Sequence, residues 1–159
     1  YTICMARTRM KRTGNFLLVF FTVFIAYGES SFFELCKTGT PDEITRAIQG
    51  GARVEERTEQ GATPLMWAAL NNQNPEVLRV LLQAGARVDE RTEGGVTPLM
   101  AAAAKNQNPE VIIVLLNAGA DGTLKSEEGK TAFDYASTNE KIINTRAYWE
   151  LNNARFKSK

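Results

Sequence analysis

The chain has no histidine. That absence removes the base from any Ser-His or Cys-His nucleophile pair, and it removes imidazole from any metal site. Cysteine is nearly absent too: Cys4 and Cys36 are the whole supply. Two such residues do not make a disulfide framework. The glycines follow the turns of a repeat and form no phosphate-cradling loop. Proline is rare and narrowly placed. Each of the five, Pro41, Pro64, Pro75, Pro98 and Pro109, follows a Thr or an Asn. That pair reads as an N-cap and the first helical residue, where a missing N–H costs nothing.

Acid is missing from the first 28 residues, which hold Arg7, Arg9, Lys11 and Arg12. All 18 acidic residues lie from Glu29 onward, against 15 basic ones, a net of −3 for that part. The basic run is followed by a 12-residue apolar core from Phe16 to Tyr27. Ala26-Tyr27-Gly28 puts small residues where a signal peptidase reads, so residues 1–28 are expected to be a signal peptide cut before Glu29. The core is too short for a stable bilayer span. An uncleaved anchor and a buried N-terminal helix are the alternatives. The chain opens on Tyr1, so Met5 and Met10 are both candidate starts. Cys4 would leave with the leader, and Cys36 would stand alone.

What is present is a repeat. Gly-Ala-Thr-Pro-Leu-Met-Trp-Ala-Ala at 61–69 returns as Gly-Val-Thr-Pro-Leu-Met-Ala-Ala-Ala at 95–103. A worn copy, Gly-Lys-Thr-Ala-Phe-Asp-Tyr-Ala-Ser, stands at 129–137. Thr63, Thr97 and Thr131 are 34 residues apart each time, and 25 of 34 positions agree between 51–84 and 85–118. A fixed period of this size marks a stacked solenoid. Each unit reads as a β-hairpin finger and two helices. Thr63 and Pro64 start the first helix, and Ala68 and Ala69 allow a close neighbour. Asn71-Asn72-Gln73 is a turn. Asn74, Pro75 and Glu76 start the second helix, whose apolar stripe is Val77, Leu78, Val80, Leu81 and Leu82. Gly85 ends it.

The same grammar outlines two weaker units. In 31–50, Ser30 or Ser31 caps a short helix, and Thr40-Pro41-Asp42-Glu43 is a capping box. In 119–152, Thr131 opens one helix and Asn139-Glu140 the other, with Ile142, Ile143, Ala147, Trp149 and Leu151 as apolar positions and a polar outer surface. Residues 155–159 are a short basic tail.

The motifs Gly-x-Thr-Pro-Leu-x-x-Ala-Ala and Val-x-x-Leu-Leu-x-x-Gly-Ala resemble the ankyrin repeat across roughly residues 31–152. The resemblance implies a mainly α solenoid of four units, near 31–50, 51–84, 85–118 and 119–152, within a domain at 29–159. Two departures stand out. The unit is 34 residues, where the family has about 33, and Met66 and Met100 replace a histidine of the family pattern. Methionine is expected to fill the gap by packing. The extra residue is expected in the Asn-Gln-Asn-Pro turn.

The resemblance also implies binding of a protein partner, unidentified, along finger tips and a concave groove. The two strong units differ at nine positions, and a group of these falls there: Gln60, Ala62, Leu70 and Asn71 against Gly94, Val96, Ala104 and Lys105. Glu59, Glu93, Glu127, Glu128 and Lys130 complete the candidate surface. Drift at exposed sites is the plainer reading of those differences. Trp67 is either an aromatic contact or a filler beside Ala101. Leu70 is expected to be partly exposed.

Other chemistry finds little support. The finger carboxylates, Glu55, Glu56, Asp89 and Glu90 among them, interleave with Arg53, Arg57, Arg87 and Arg91. A solvated surface explains them better than a catalytic pair or a calcium site. The mature chain lacks a basic face for nucleic acid. Cys36 reads as a packed core thiol. The expectation is an exported, bacterial-type binding module, periplasmic or secreted, monomeric, without cofactor or catalytic residues. The alternatives are an exported redox or enzyme-accessory protein using Cys36, and a fragment of a longer structural array.

Overall fold

The computed structural model describes residues 28–157. The leader read at 1–28 therefore lies, Gly28 apart, outside the described residues. Among those described there are eight helices and no strand. They are α1 (Gly28–Thr38), α2 (Pro41–Gln49), α3 (Pro64–Asn71) and α4 (Pro75–Gln83). Then follow α5 (Pro98–Lys105), α6 (Pro109–Asn117), α7 (Ala132–Ala136) and α8 (Arg146–Ala154).

The caps explain where the helices begin. Thr40, Thr63, Asn74, Thr97 and Asn108 each sit in extended backbone, accept a bond from the first turn, and are followed by proline. The side chain satisfies an orphan N–H, and proline removes another. Thr40 with Glu43, and Thr131 with Asp134, close full capping boxes. Gly85, at φ +98°, takes the left-handed turn that ends α4, a conformation a side chain would strain.

The helices pack in two layers. The first helices α1, α3, α5 and α7 lie against one another, and the second helices α2, α4, α6 and α8 form the other layer. Ala68, Ala69, Ala102, Ala103 and Ala136 are fully buried and let the first layer close up. Leu65, Leu78, Leu81, Leu99, Ile112 and Leu115 fill the space between the layers. Met66 and Met100 are buried as well, so packing replaces the polar contact that a histidine would make there.

Polar bonds stitch one unit to the next. The Asn72 amide donates to Cys36 O and Gly39 O, at 3.1 and 3.0 Å. Asn106 repeats this on Ala69 O and Asn72 O, at 2.8 and 2.9 Å. Asn139 repeats it on Ala103 O and Asn106 O, at 3.1 and 3.0 Å. Each side chain satisfies carbonyls freed at the end of the preceding first helix, so a buried polar group is paired rather than orphaned. The fingers are stitched too. Glu93 N–H donates to Gln60 O and Glu127 N–H to Gly94 O, both at 3.0 Å.

Several expectations need correction. The fingers are tight turns without a strand ladder. Thr92 N–H donates to Val96 O at 3.0 Å, and the Thr92 hydroxyl accepts from Val96 N–H at 3.1 Å. Ser30 and Ser31 lie inside α1, not at its cap. Asn71 belongs to α3, and Asn72 is its buried cap residue. Asn139 stitches units together and opens no helix; Thr145 caps α8 instead. Asn72 and Asn106 follow their threonines by nine residues, Asn139 by eight. The last copy is thus one residue shorter before its stitching amide, whereas the first unit passes from Gly39 directly to the cap Thr40, one residue fewer than from Asn72 to Asn74, which agrees with an extra residue in the turn of the strong units. The last unit is also less polar outside than expected, because Trp149 and Phe156 are 56% and 74% exposed. Leu82 and Leu116 are only partly buried.

Candidate protein-binding groove

The first helices and the fingers bring three copies of each position into columns. One column is Trp67, Ala101 and Tyr135, each four residues after its capping threonine. Two aromatics thus flank an alanine. A second column is Leu70, Ala104 and Thr138. Around the two small residues lies an apolar hollow of about 300 Å³. Ala101 and Ala104 form its floor, Trp67 and Tyr135 its walls, and Ala62, Thr92 and Val96 its finger side.

The walls are held from behind. Trp67 meets the Phe33 ring edge-on at 6.5 Å, and the Lys37 ammonium lies 5.5 Å from its ring centre. Trp67 therefore does not fill the space beside Ala101; it leans on the preceding unit and leaves that space open. Its indole N–H is buried and has no hydrogen-bond partner. The Tyr135 hydroxyl donates to Ser126 Oγ at 3.1 Å, which fixes the opposite wall. The Lys130 ammonium stands 5.6 Å from the Tyr135 ring centre and pairs with Glu128 at 2.8 Å, and that pairing raises its pKa.

The candidate residues fall into three sets. Ala62, Leu70, Val96 and Ala104 come together in the hollow. Leu70 is half-buried, as expected of a groove position. Glu59, Gln60, Glu93, Gly94, Glu127, Glu128 and Lys130 stand exposed on the fingers. Lys105 is exposed in the last turn of α5, while the Asn71 amide is turned back onto Trp67 O at 3.1 Å. Asn71 is thus the member least free to contact a partner. Sequence reading missed Met66, Thr92, Met100, Ala101 and Tyr135 as lining residues. The signal was there: setting the worn copy beside the two strong ones shows large, small, large at one column.

The fingers are not uniformly solvated. Glu90 is buried and pairs with Arg57 and, at 2.6 Å, with Arg87. Both cations offset the cost of burying its charge. Arg91 donates to Lys125 O on the next finger. Among the described residues no three Cys, Asp or Glu side chains are grouped to hold a metal ion. Cys36 is fully buried, and burial pushes its thiol up to about 12. Reactivity needs the thiolate, which this site disfavours at neutral pH. Among the described residues no helix is long and apolar enough to cross a membrane.

Stacked helix-turn-helix units, joined by fingers and stitched end to end, define a repeat solenoid with an apolar hollow on the side of its first helices. Family models carry this further. One described as "Ankyrin repeat" matches residues 60–93, and one described as "Ankyrin repeats (many copies)" matches residues 81–136. The chain is an ankyrin-repeat protein. Ankyrin repeats are in general protein–protein interaction modules. A search of curated proteins found no match.

Proposed function

We propose that this protein is an exported, monomeric binding module that holds one partner protein in its concave groove. The contact set is Glu59, Gln60, Ala62, Leu70, Asn71, Glu93, Gly94, Val96, Ala104, Lys105, Glu127, Glu128 and Lys130. The observation that carries the reading is the apolar hollow of about 300 Å³, lined by Ala62, Leu70, Val96 and Ala104. The framework is copied between the two strong units while these groove positions change. Aromatic walls beside an apolar hollow are what interface hot spots are built from.

Changing Leu70→Glu together with Lys105→Glu tests it. Both residues keep some solvent exposure, so melting should shift by no more than a few degrees. Capture of the partner retained by the wild type should be lost. Retained capture by a folded double variant moves the interface off the groove.

Export belongs to the same proposal: a leader at 1–28, a repeat domain at 29–159, and a periplasmic or secreted product. The basic n-region and the Phe16–Tyr27 core support it. Expressed in a bacterial host, the mature chain should begin within a few residues of Glu29 and lie outside the cytoplasm. N-terminal sequencing that finds the leader intact on a cytoplasmic product defeats that part alone.

A further inference from the structure

The middle repeat is hollowed at three groove columns in succession. Gly94 stands where its neighbours have Gln60 and Glu128. Ala101 stands between Trp67 and Tyr135, and Ala104 between Leu70 and Thr138. Val96 is the exception, being larger than Ala62. The result is a notch at one repeat, running from Thr92 and Val96 on the finger side to Leu70 and Ala104 at the helix end and flanked by Trp67 and Tyr135, with Gly94 on the finger beyond it. The finger end is open as well. A Cβ added at Gly94 would meet only the Thr92 hydroxyl, at 3.9 Å.

The two ends of the notch differ in charge. Glu59, Glu93 and Glu127 occupy the same position in successive fingers, are exposed, and make no ion pair among the described residues. Of the basic residues beside them, Arg57 pairs with Glu90, Arg91 donates to Lys125 O and Lys130 pairs with Glu128, while Lys125, the counterpart of Arg57 and Arg91, is exposed beside Glu127. Lys105, at the helix end, is exposed and likewise without an ion pair among the described residues.

We propose that the notch seats one large apolar side chain, Leu, Met or Phe, from an extended partner segment that crosses the stack, with an Arg or Lys of that segment facing Glu93 and Glu127. The inference rests on the groove reading and names the kind of partner that reading requires. A polar side chain would lose its water in the hollow and find almost no partner there. An apolar one gains contact with two aromatic walls. The acidic fingers and Lys105 then set the direction of the segment, since charge at an interface fixes register more than it adds affinity.

Short capped peptides with Leu, Met, Phe or Ala at the centre, and Arg, Ser or Glu on one flank, test this by fluorescence anisotropy on the full chain. Peptides with a large apolar centre and an Arg flank should bind about tenfold or more tighter than those with Ala. A Glu flank should lose most of the binding, and Glu93→Lys with Glu127→Lys should reverse the flank preference. Ala101→Trp recreates the aromatic column of the neighbouring repeats and should remove the preference for a large centre. Ala104→Leu, which copies Leu70, does the same should Ala101→Trp not fold. Equal affinity whatever the central residue overturns the proposal. In that event, loss of all peptide binding on Leu70→Glu with Lys105→Glu leaves the groove reading standing. Survival of binding in that double variant removes both. No peptide binding by the wild type also overturns the notch. A dimer dissolved by Ala101→Trp would then assign it to a second copy, and an apolar dye displaced by no peptide would assign it to a small molecule.

Discussion

Leu81 and Leu115 occupy the same place in consecutive repeats, and both are fully buried. Trp67 and Ala101 also occupy one place, yet one is the wall of a hollow and the other its floor. Of the nine differing positions only Leu78/Ile112 is fully buried in both repeats, so the repeats share most of what faces a neighbour and differ mainly where the chain faces outward. Stacking constrains a position from both sides, because each unit packs on the next. The groove columns are constrained from one side only. Their size can change without unseating the stack, so the groove can be shaped to a partner while the framework is copied.

The comparison breaks most visibly in the shared framework. Leu81→Ala and Leu115→Ala should each cost about 2–5 kcal/mol, with a single cooperative loss of both repeats, read by thermal or urea unfolding. A melt unchanged by either would contradict the packing. Next come the stitching amides. Asn106→Ala orphans Ala69 O and Asn72 O, and should cost about 1–3 kcal/mol. Asn139→Ala should cost less, because Asn139 is only partly buried. Equal losses at the two sites would mean that burial does not set the penalty. Smaller still are Leu82→Ala and Leu116→Ala, half-exposed beside their buried neighbours, at about 1 kcal/mol each.

The smallest effect sharpens the contrast between the strong repeats and the worn one. In the last unit the cap is charged: Asp134 accepts from Thr131 N–H at 2.8 Å and from the Thr131 hydroxyl at 2.7 Å. Those bonds, the backbone one first, hold its carboxyl below the usual range. A carboxyl depressed in the fold supports stability above its unfolded pKa and loses that support as pH falls through the folded value. Melting followed below about pH 4, the unperturbed Asp value, should therefore fall less steeply in Asp134→Asn than in the wild type. Parallel slopes would remove the cap from the account.

Much of the fold was legible because its signals are local. A threonine or asparagine before proline marks a helix start within two residues, and the 34-residue step repeats it. The stitching was not legible in that way. Asn72 reaches Cys36 O, 36 residues earlier, and nothing beside Asn72 announces that contact. The last helix was misplaced because Asn139 resembles the caps Asn74 and Asn108, yet it carries the stitching amide instead. Trp149, one of the apolar positions of the last unit, is exposed, since the last helix starts later and turns another face inward. In the groove, pairs of differing residues were visible, but the hollow needs three columns side by side. On the second-layer helices α4 and α6, Arg79 and Ile113 differ between repeats too. Ile113 is buried, however, and Arg79 is paired with Glu76 at 2.8 Å.

The central claim is that partners are held on the concave side, at the repeat where the columns are smallest. Backbone amide shifts of the labelled full chain, followed by NMR while an Arg-flanked Leu peptide is added, test it most directly. The account predicts the largest changes at Glu93, Gly94, Ala101, Ala104 and Tyr135, fading toward the second layer of helices. Changes centred on α4 and α6, around Arg79 and Ile113, with the notch amides unmoved, would contradict it.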